Sequence, residues 1–178
     1  MNIKNIALLM LITAVVFSGC KKIEDALDVT FDTTFSADLD AAVTPGTKAG
    51  TNGTFLVAET IDPAGDDNVA AYMDKIKSWE VNEVKAEIIS TSKDATLTNL
   101  NLGVNNQNHS ASWAFQNIAI SQGTVVILDN GNGQWDEINA ILGDLQVFTI
   151  TASGSTDEDD LQFTIRVTIE SAVTANPL

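Results

Sequence analysis

One cysteine, one histidine and nine basic residues in a chain of 178 set the first limits. With Cys20 alone no intramolecular disulfide can form, so stability has to come from burial. A 44% apolar composition at this length supplies a single core. The nine Lys and Arg stand against 24 Asp and Glu, a formal charge of −15. Affinity for phosphate backbones and anionic lipid surfaces rests on cationic side chains, so this balance excludes nucleic acid as a partner. No apolar run is long enough to cross a bilayer. The stretch from Ile6 to Phe17 is about a dozen residues, where a spanning helix needs roughly 20.

That short run does have a recognisable setting. Lys4 gives a positive start, the apolar segment follows, and Ser18-Gly19 supply small residues before Cys20 and Lys21-Lys22, the pattern of a secretory signal. Val16-Phe17-Ser18-Gly19-Cys20 resembles the lipobox of bacterial lipoproteins. By that resemblance residues 1–19 are a signal peptide and Cys20 becomes the lipidated first residue of the mature chain. Residues 20–26 then form a tether and 27–178 a single folded domain. Cleavage would leave 178 − 19 = 159 residues with 9 − 1 = 8 basic and 24 acidic side chains, a formal charge of 8 − 24 = −16. Each buried methylene of an acyl chain contributes about 0.8 kcal/mol, so multiple acylation at Cys20 would hold the domain on a membrane almost irreversibly.

From Leu27 to Leu39 the chain alternates. Leu27, Val29, Phe31, Phe35, Ala37 and Leu39 fall on one parity, and Asp28, Thr30, Asp32, Thr34, Ser36 and Asp38 on the other. A period of two is that of a half-buried strand. Residues 161–173 repeat it, with Leu161, Phe163, Ile165, Val167, Ile169 and Val173 on the apolar side. Between them, 54–61, 81–90, 96–104, 112–120, 124–128 and 145–152 read as further strands, about eight in all. The apolar parity slips after Leu97 to Leu100 and after Phe115 to Ile118, as a β-bulge would make it. Turn chemistry marks Pro45-Gly46, Gly50-Thr51-Asn52-Gly53, Asn105-Asn106-Gln107-Asn108 and Gly154-Ser155. The last runs into Asp157-Glu158-Asp159-Asp160, so 145–152 and 161–173 are expected to form a long hairpin with an acidic tip.

Two stretches follow a helical period instead. Over 66–77, Val69, Tyr72, Met73 and Ile76 share a face behind acidic N-terminal residues. Over 134–142, Trp135, Ile138, Ile141 and Leu142 form a stripe, with Asn132 as cap and Gly143 as stop. The expected architecture is one antiparallel β-sandwich, Greek-key or immunoglobulin-like, carrying two short helices.

The lipobox together with "DVTFDTTFSADLD", "YMDKIKSWEVNEVKAEI" and "FTIRVTIESAVTANPL" resembles uncharacterised lipoproteins of the Bacteroidota, whose mature part is a β-sandwich. The resemblance implies an envelope location, on the outer membrane, with either face open; Glu24-Asp25 fit a surface-export pattern only loosely. It carries no reaction across.

The residues that could bear chemistry have plainer readings. His109, in a polar turn beside Ser110, lacks the frame of nucleophile, base and orienting carboxylate that a triad needs and reads as a solvated loop histidine. Asp129-Asn130-Gly131-Asn132-Gly133-Gln134 invites calcium, but glycines occupy the third and fifth ligand positions from Asp129, which leaves a glycine-rich turn. Asp157 to Asp160 read as a solvated face that deters edge pairing. Acidic residues such as Asp28, Asp32, Asp38, Glu83 and Glu87 take the outward parity of strands, and no pair stands out for glycoside hydrolysis. Trp113, with Phe115 on its strand face, and Trp135 are expected in packing, and Trp79 at a helix-to-strand hinge. These three tryptophans and Tyr72 are the candidates for sugar-stacking rings. No catalytic residue, metal or cofactor is expected. The function expected is a membrane-anchored, non-enzymatic lipoprotein with a structural, adhesive or partner-binding sandwich. The alternative is a carbohydrate-binding or carbohydrate-processing accessory, which an aromatic strip on a flat sheet face would favour.

Overall fold

The structure is a computed structural model that describes residues 27–43 and 53–177. Cys20, the segments 1–19 and 20–26 and the turn signals at 45–46 and 50–52 lie outside the described residues. Among the described residues no helix is long and apolar enough to cross a membrane.

Among the described residues eight strands form: β1 (Val29–Val43), β2 (Thr54–Ile61), β3 (Ile76–Thr91), β4 (Ala95–Asn105), β5 (Ser110–Ile120), β6 (Val125–Ile127), β7 (Phe148–Thr156) and β8 (Leu161–Ala175). They make two four-stranded sheets in the orders β1-β8-β3-β6 and β2-β7-β4-β5. Every pairing is antiparallel. The chain changes sheet at each connection except β4–β5, which gives the double Greek key of a jelly roll. The expected sandwich is therefore of the Greek-key kind.

Alternation does what its period requires. In β1, Phe35, Leu39 and Val43 are buried while Asp32, Asp38 and Asp40 are exposed. Side chains from both sheets meet between them. Phe35 of β1 packs 6.1 Å from Trp79 of β3 and edge-on, at 6.0 Å, to Phe148 of β7. At the other end Phe55 of β2 meets Phe163 of β8 at 5.1 Å and 83°. Edge-to-face geometry sets the positive rim of one ring against the negative face of the other.

The 145–152/161–173 hairpin does not form, because β7 and β8 belong to different sheets. Residues 157–160 are an arch between the sheets. The Thr156 and Asp157 amides donate to the carbonyls of Gly53 and Thr96, and Leu161 then pairs with Val43 of β1. Nor does the acidic run guard an edge. The Asp157 carboxylate accepts from the Thr96 amide at 2.7 Å, and Glu158 pairs with Lys93 at 2.9 Å. Gly154 is likewise no turn residue but lies inside β7, paired with Leu100 of β4 beside the bulge at Thr98, where Leu97 pairs with Thr156 and Asn99 with Ser155. The bulge expected after Leu97 is present, and the slip near Phe115 resolves at Asn117, whose φ of +56° reverses the facing of the residues that follow.

The first helix is shorter than its periodicity. α1 (Asp67–Tyr72) is capped by the Asp66 carboxylate, which accepts from the amides of Asn68 and Val69 and from the Thr33 hydroxyl. One 3₁₀ turn later Ile76 has left the helix to pair with Ala175, so β3 starts five residues before the expected Val81. Sheet pairing along β8 overrides helix propensity there. Trp79 consequently sits within β3, buried in the core rather than at a hinge.

α2 (Gln134–Gly143) packs against β3 and β5 and closes the sandwich with Ile138, Ile141 and Leu142. Its cap is not Asn132. The chain enters through Gly133 at φ +79°, and the Trp135 amide donates to the Asn130 side-chain oxygen at 2.8 Å. Its end is not set by Gly143 either, because the left-handed residue is Leu145, at φ +51°. Leu145 therefore belongs to the helix exit, and β7 begins only at Phe148.

Candidate functional site

The antiparallel registers fix which side chains share an outer face. On the sheet β2-β7-β4-β5 they form four rows of four: Thr54, Ser155, Asn99, Gln116; Leu56, Ser153, Asn101, Ala114; Ala58, Thr151, Gly103, Ser112; Thr60, Thr149, Asn105, Ser110. None of these sixteen positions carries a charge or an aromatic ring. The outer face of the other sheet is its opposite. There Asp32, Asp38, Asp40, Glu80, Glu83, Glu87 and Glu170 surround only Lys85 and Arg166. Arg166 holds Asp38 through two hydrogen bonds of 2.6 and 2.7 Å, and this bond keeps the Asp38 carboxyl below the usual carboxylate range. Lys85 bridges Glu83 at 2.8 Å and Glu170 at 2.9 Å. The two outer sheet faces thus differ sharply, with no charged side chain in the sixteen positions of one and nine on the other.

The uncharged face runs at its β5 edge into an open groove of about 450 Å³, lined by Asn101, Ser112, Ala114, Phe115, Asp129 and Gln134 among others. The wall of this groove is held by two tryptophans. The Trp113 indole N–H donates to the Asp129 carbonyl at 2.7 Å, and that of Trp135 to the Leu128 carbonyl at 3.0 Å. Both rings are therefore part of the packing, as expected, and fix the 129–133 turn rather than offering a platform. The oxygens of that turn serve its own backbone: Asp129 accepts from Gly131 and Asn130 from Trp135. Among the described residues no three His, Cys, Asp or Glu side chains come together as a metal site. The Trp79 indole N–H is buried with no acceptor among the described residues, and Tyr72 leans on Phe31 at 5.5 Å.

His109 is half-buried rather than free in a loop. Its Nδ1 lies 3.1 Å from a Glu137 carboxylate oxygen on α2, and its amide donates to the Asn106 side chain. The rest of the turn is tied to the end of the same helix, because Asn106 and Asn108 both donate to the Asp144 carboxylate, at 2.9 and 3.1 Å. Those bonds, Asn108's first, lower the Asp144 pKa. A carboxyl whose pKa is lowered by folding contributes stability above its unfolded value and loses it as pH falls through the folded one. The 105–109 turn is therefore expected to detach from α2 in acid, below the usual carboxylate range, and Asp144→Ala to detach it at neutral pH. Amide hydrogen exchange at Asn108 and His109 reads both. Protection retained by the alanine variant would show that the turn is held by something else.

No family model matches the chain, and no curated protein matches it. Similar solved structures include a decameric BFDV capsid protein (TM-score 0.44, 10% identity, 82% of this chain and 99% of that one). Desmodium yellow mottle tymovirus gives a TM-score of 0.34 at 13% identity, covering 85% and 84% of the two chains. Mud crab tombus-like virus gives 0.36 at 9% identity, covering 84% and 81%.

Proposed function

We propose that this chain is a membrane-anchored, non-enzymatic lipoprotein of the cell envelope, attached through lipid at Cys20, whose sandwich binds a partner through the uncharged sheet face. The face carries the binding half of this reading. On a surface otherwise dominated by carboxylates, sixteen contiguous positions without a charge can approach another macromolecule at no cost in repulsion or in desolvated ions. The anchor rests on Cys20 and the apolar segment before it. A carbohydrate-binding role draws less support, since no ring occupies the flat face and the tryptophans are spent in packing. The acidity of the opposite face disfavours nucleic acid.

Cys20→Ser is expected to abolish incorporation of an alkyne fatty acid and to leave the chain uncleaved or mislocalised, because the proposed lipid attachment is lost. Label that persists on the serine variant would remove the lipoprotein half of the reading.

A further inference from the structure

We infer that the partner of the uncharged face is a second copy of this chain, docked face to face about a two-fold axis parallel to the strands. This rests on the reading of that face as the binding surface and names its occupant. The symmetry argument comes first. An axis lying between β7 and β4 places β2 of one copy over β5 of the other and preserves the rows, so each Leu56 lands opposite the partner's Ala114 and each Ser153 opposite the partner's Asn101. Leu56 is 77% exposed, the most exposed large apolar side chain among the described residues, and this arrangement covers it with a small residue twice.

Chemistry points the same way. Hydroxyls and amides both donate and accept, so a face made of them is complementary to its own copy, whereas a face of one charge sign is not. The hydroxyls of Thr149, Ser153 and Ser112 and the amide of Asn101 make no hydrogen bond to another described residue, and their capacity is available to a partner. Approach through the other sheet would set Asp32, Asp38, Glu83 and Glu87 against their own copies. Area decides the strength. Strands about 4.8 Å apart with same-face residues about 6.8 Å apart give roughly 500 Å² per copy, or about 1,000 Å² for the pair. That is the range of weak, transient contacts. The dimer is thus expected to be sparse in dilute solution and populated where copies are confined to one membrane.

The test is crosslinking of the full chain in intact cells. Cys20 is the only cysteine and carries no free thiol once acylated, so Ser153→Cys places one thiol near the axis and Ser36→Cys one on the charged face. A short bismaleimide should trap dimers of the Ser153→Cys chain and not of the Ser36→Cys chain. Adding Asn101→Asp, a nearly isosteric charge opposite Ser153, should lower the trapped fraction by more than about tenfold, since like charges in an interface are strongly disfavoured. Equal trapping at both positions overturns the inference. No trapping at either, with both thiols open to a monofunctional maleimide, overturns the inference and the reading of the face as a binding surface together. A thiol at position 153 that is shielded in cells yet yields no dimer overturns the second copy alone and assigns the face to another partner.

Discussion

Phe163→Ala is expected to lower the stability of the folded chain by about 3–5 kcal/mol, the usual loss for an aromatic ring removed from a core. For a domain of this size that corresponds to a fall of roughly 6–20 °C in melting temperature. The size follows from position. Phe163 is 2% exposed on β8, a central strand of one sheet, and its ring stands at 83° to that of Phe55 from β2, an edge strand of the other. Truncation removes the transfer free energy of the ring and the edge-to-face contact, and it leaves a void between two sheets that cannot collapse without moving paired strands. Phe163→Leu keeps most of the volume and should cost about 1.5 kcal/mol or less. Thermal unfolding followed by circular dichroism compares the two. A loss under about 1 kcal/mol for the alanine variant would mean that the rings do not hold this end of the sandwich together.

Gly154→Ala should be the other large effect, about 2–3 kcal/mol, from a single added methyl group. A side chain at 154 would point into the sandwich, where its Cβ collides with the Asn99 carbonyl oxygen and stands 3.1 Å from the Phe55 ring. The obstacle is backbone, so no rotamer change relieves it. Only a shift of β4 relative to β7 would, and that shift works against the Leu97–Thr156 and Asn99–Ser155 pairings on either side of the bulge. Gly103→Ala is the contrast. Its nearest neighbour is the Thr151 hydroxyl at 2.8 Å, a side chain on the open face that can rotate away. The 154 variant should therefore lose about 4–12 °C in melting temperature and the 103 variant distinctly less. Equal losses would show that the bulge is pliable.

These two positions also mark how far the sequence could be read. Alternation located β1, β8 and, to both of its ends, β2, because period two depends only on which residues are buried. The bulges were visible too, since a slip of parity at Leu97–Leu100 is itself a sequence pattern. What alternation does not encode is which strand lies beside which. Gly154-Ser155 followed by four acidic residues looked like a hairpin tip because glycine is common in turns, yet here glycine serves the close approach of Asn99. Ile76 fitted the helical stripe of Val69 and Tyr72, but pairing with Ala175, a residue about a hundred positions away, claimed it for β3. The uncharged face was hidden for the same reason. Its four strands show outward residues without charge one by one, as in Thr54, Leu56, Ala58 and Thr60, and only the registers join them into one surface. His109 looks solvated in the sequence because its partner Glu137 is supplied by a helix that packs against β5 from elsewhere in the chain.

The pairing of β1 with β8 carries a mechanical consequence. Val29 at the start of β1 lies beside Ala175 at the end of β8, and the two strands stay in register for fifteen pairs. A force drawing those two ends apart would open the pairs one after another, as a zipper opens, and would meet little resistance at any instant. A force entering at Val29 along the strand and opposed by a hold at Leu161, the far end of β8, would instead load the fifteen pairs together in shear. The same ladder is weak or strong according to where the load is attached.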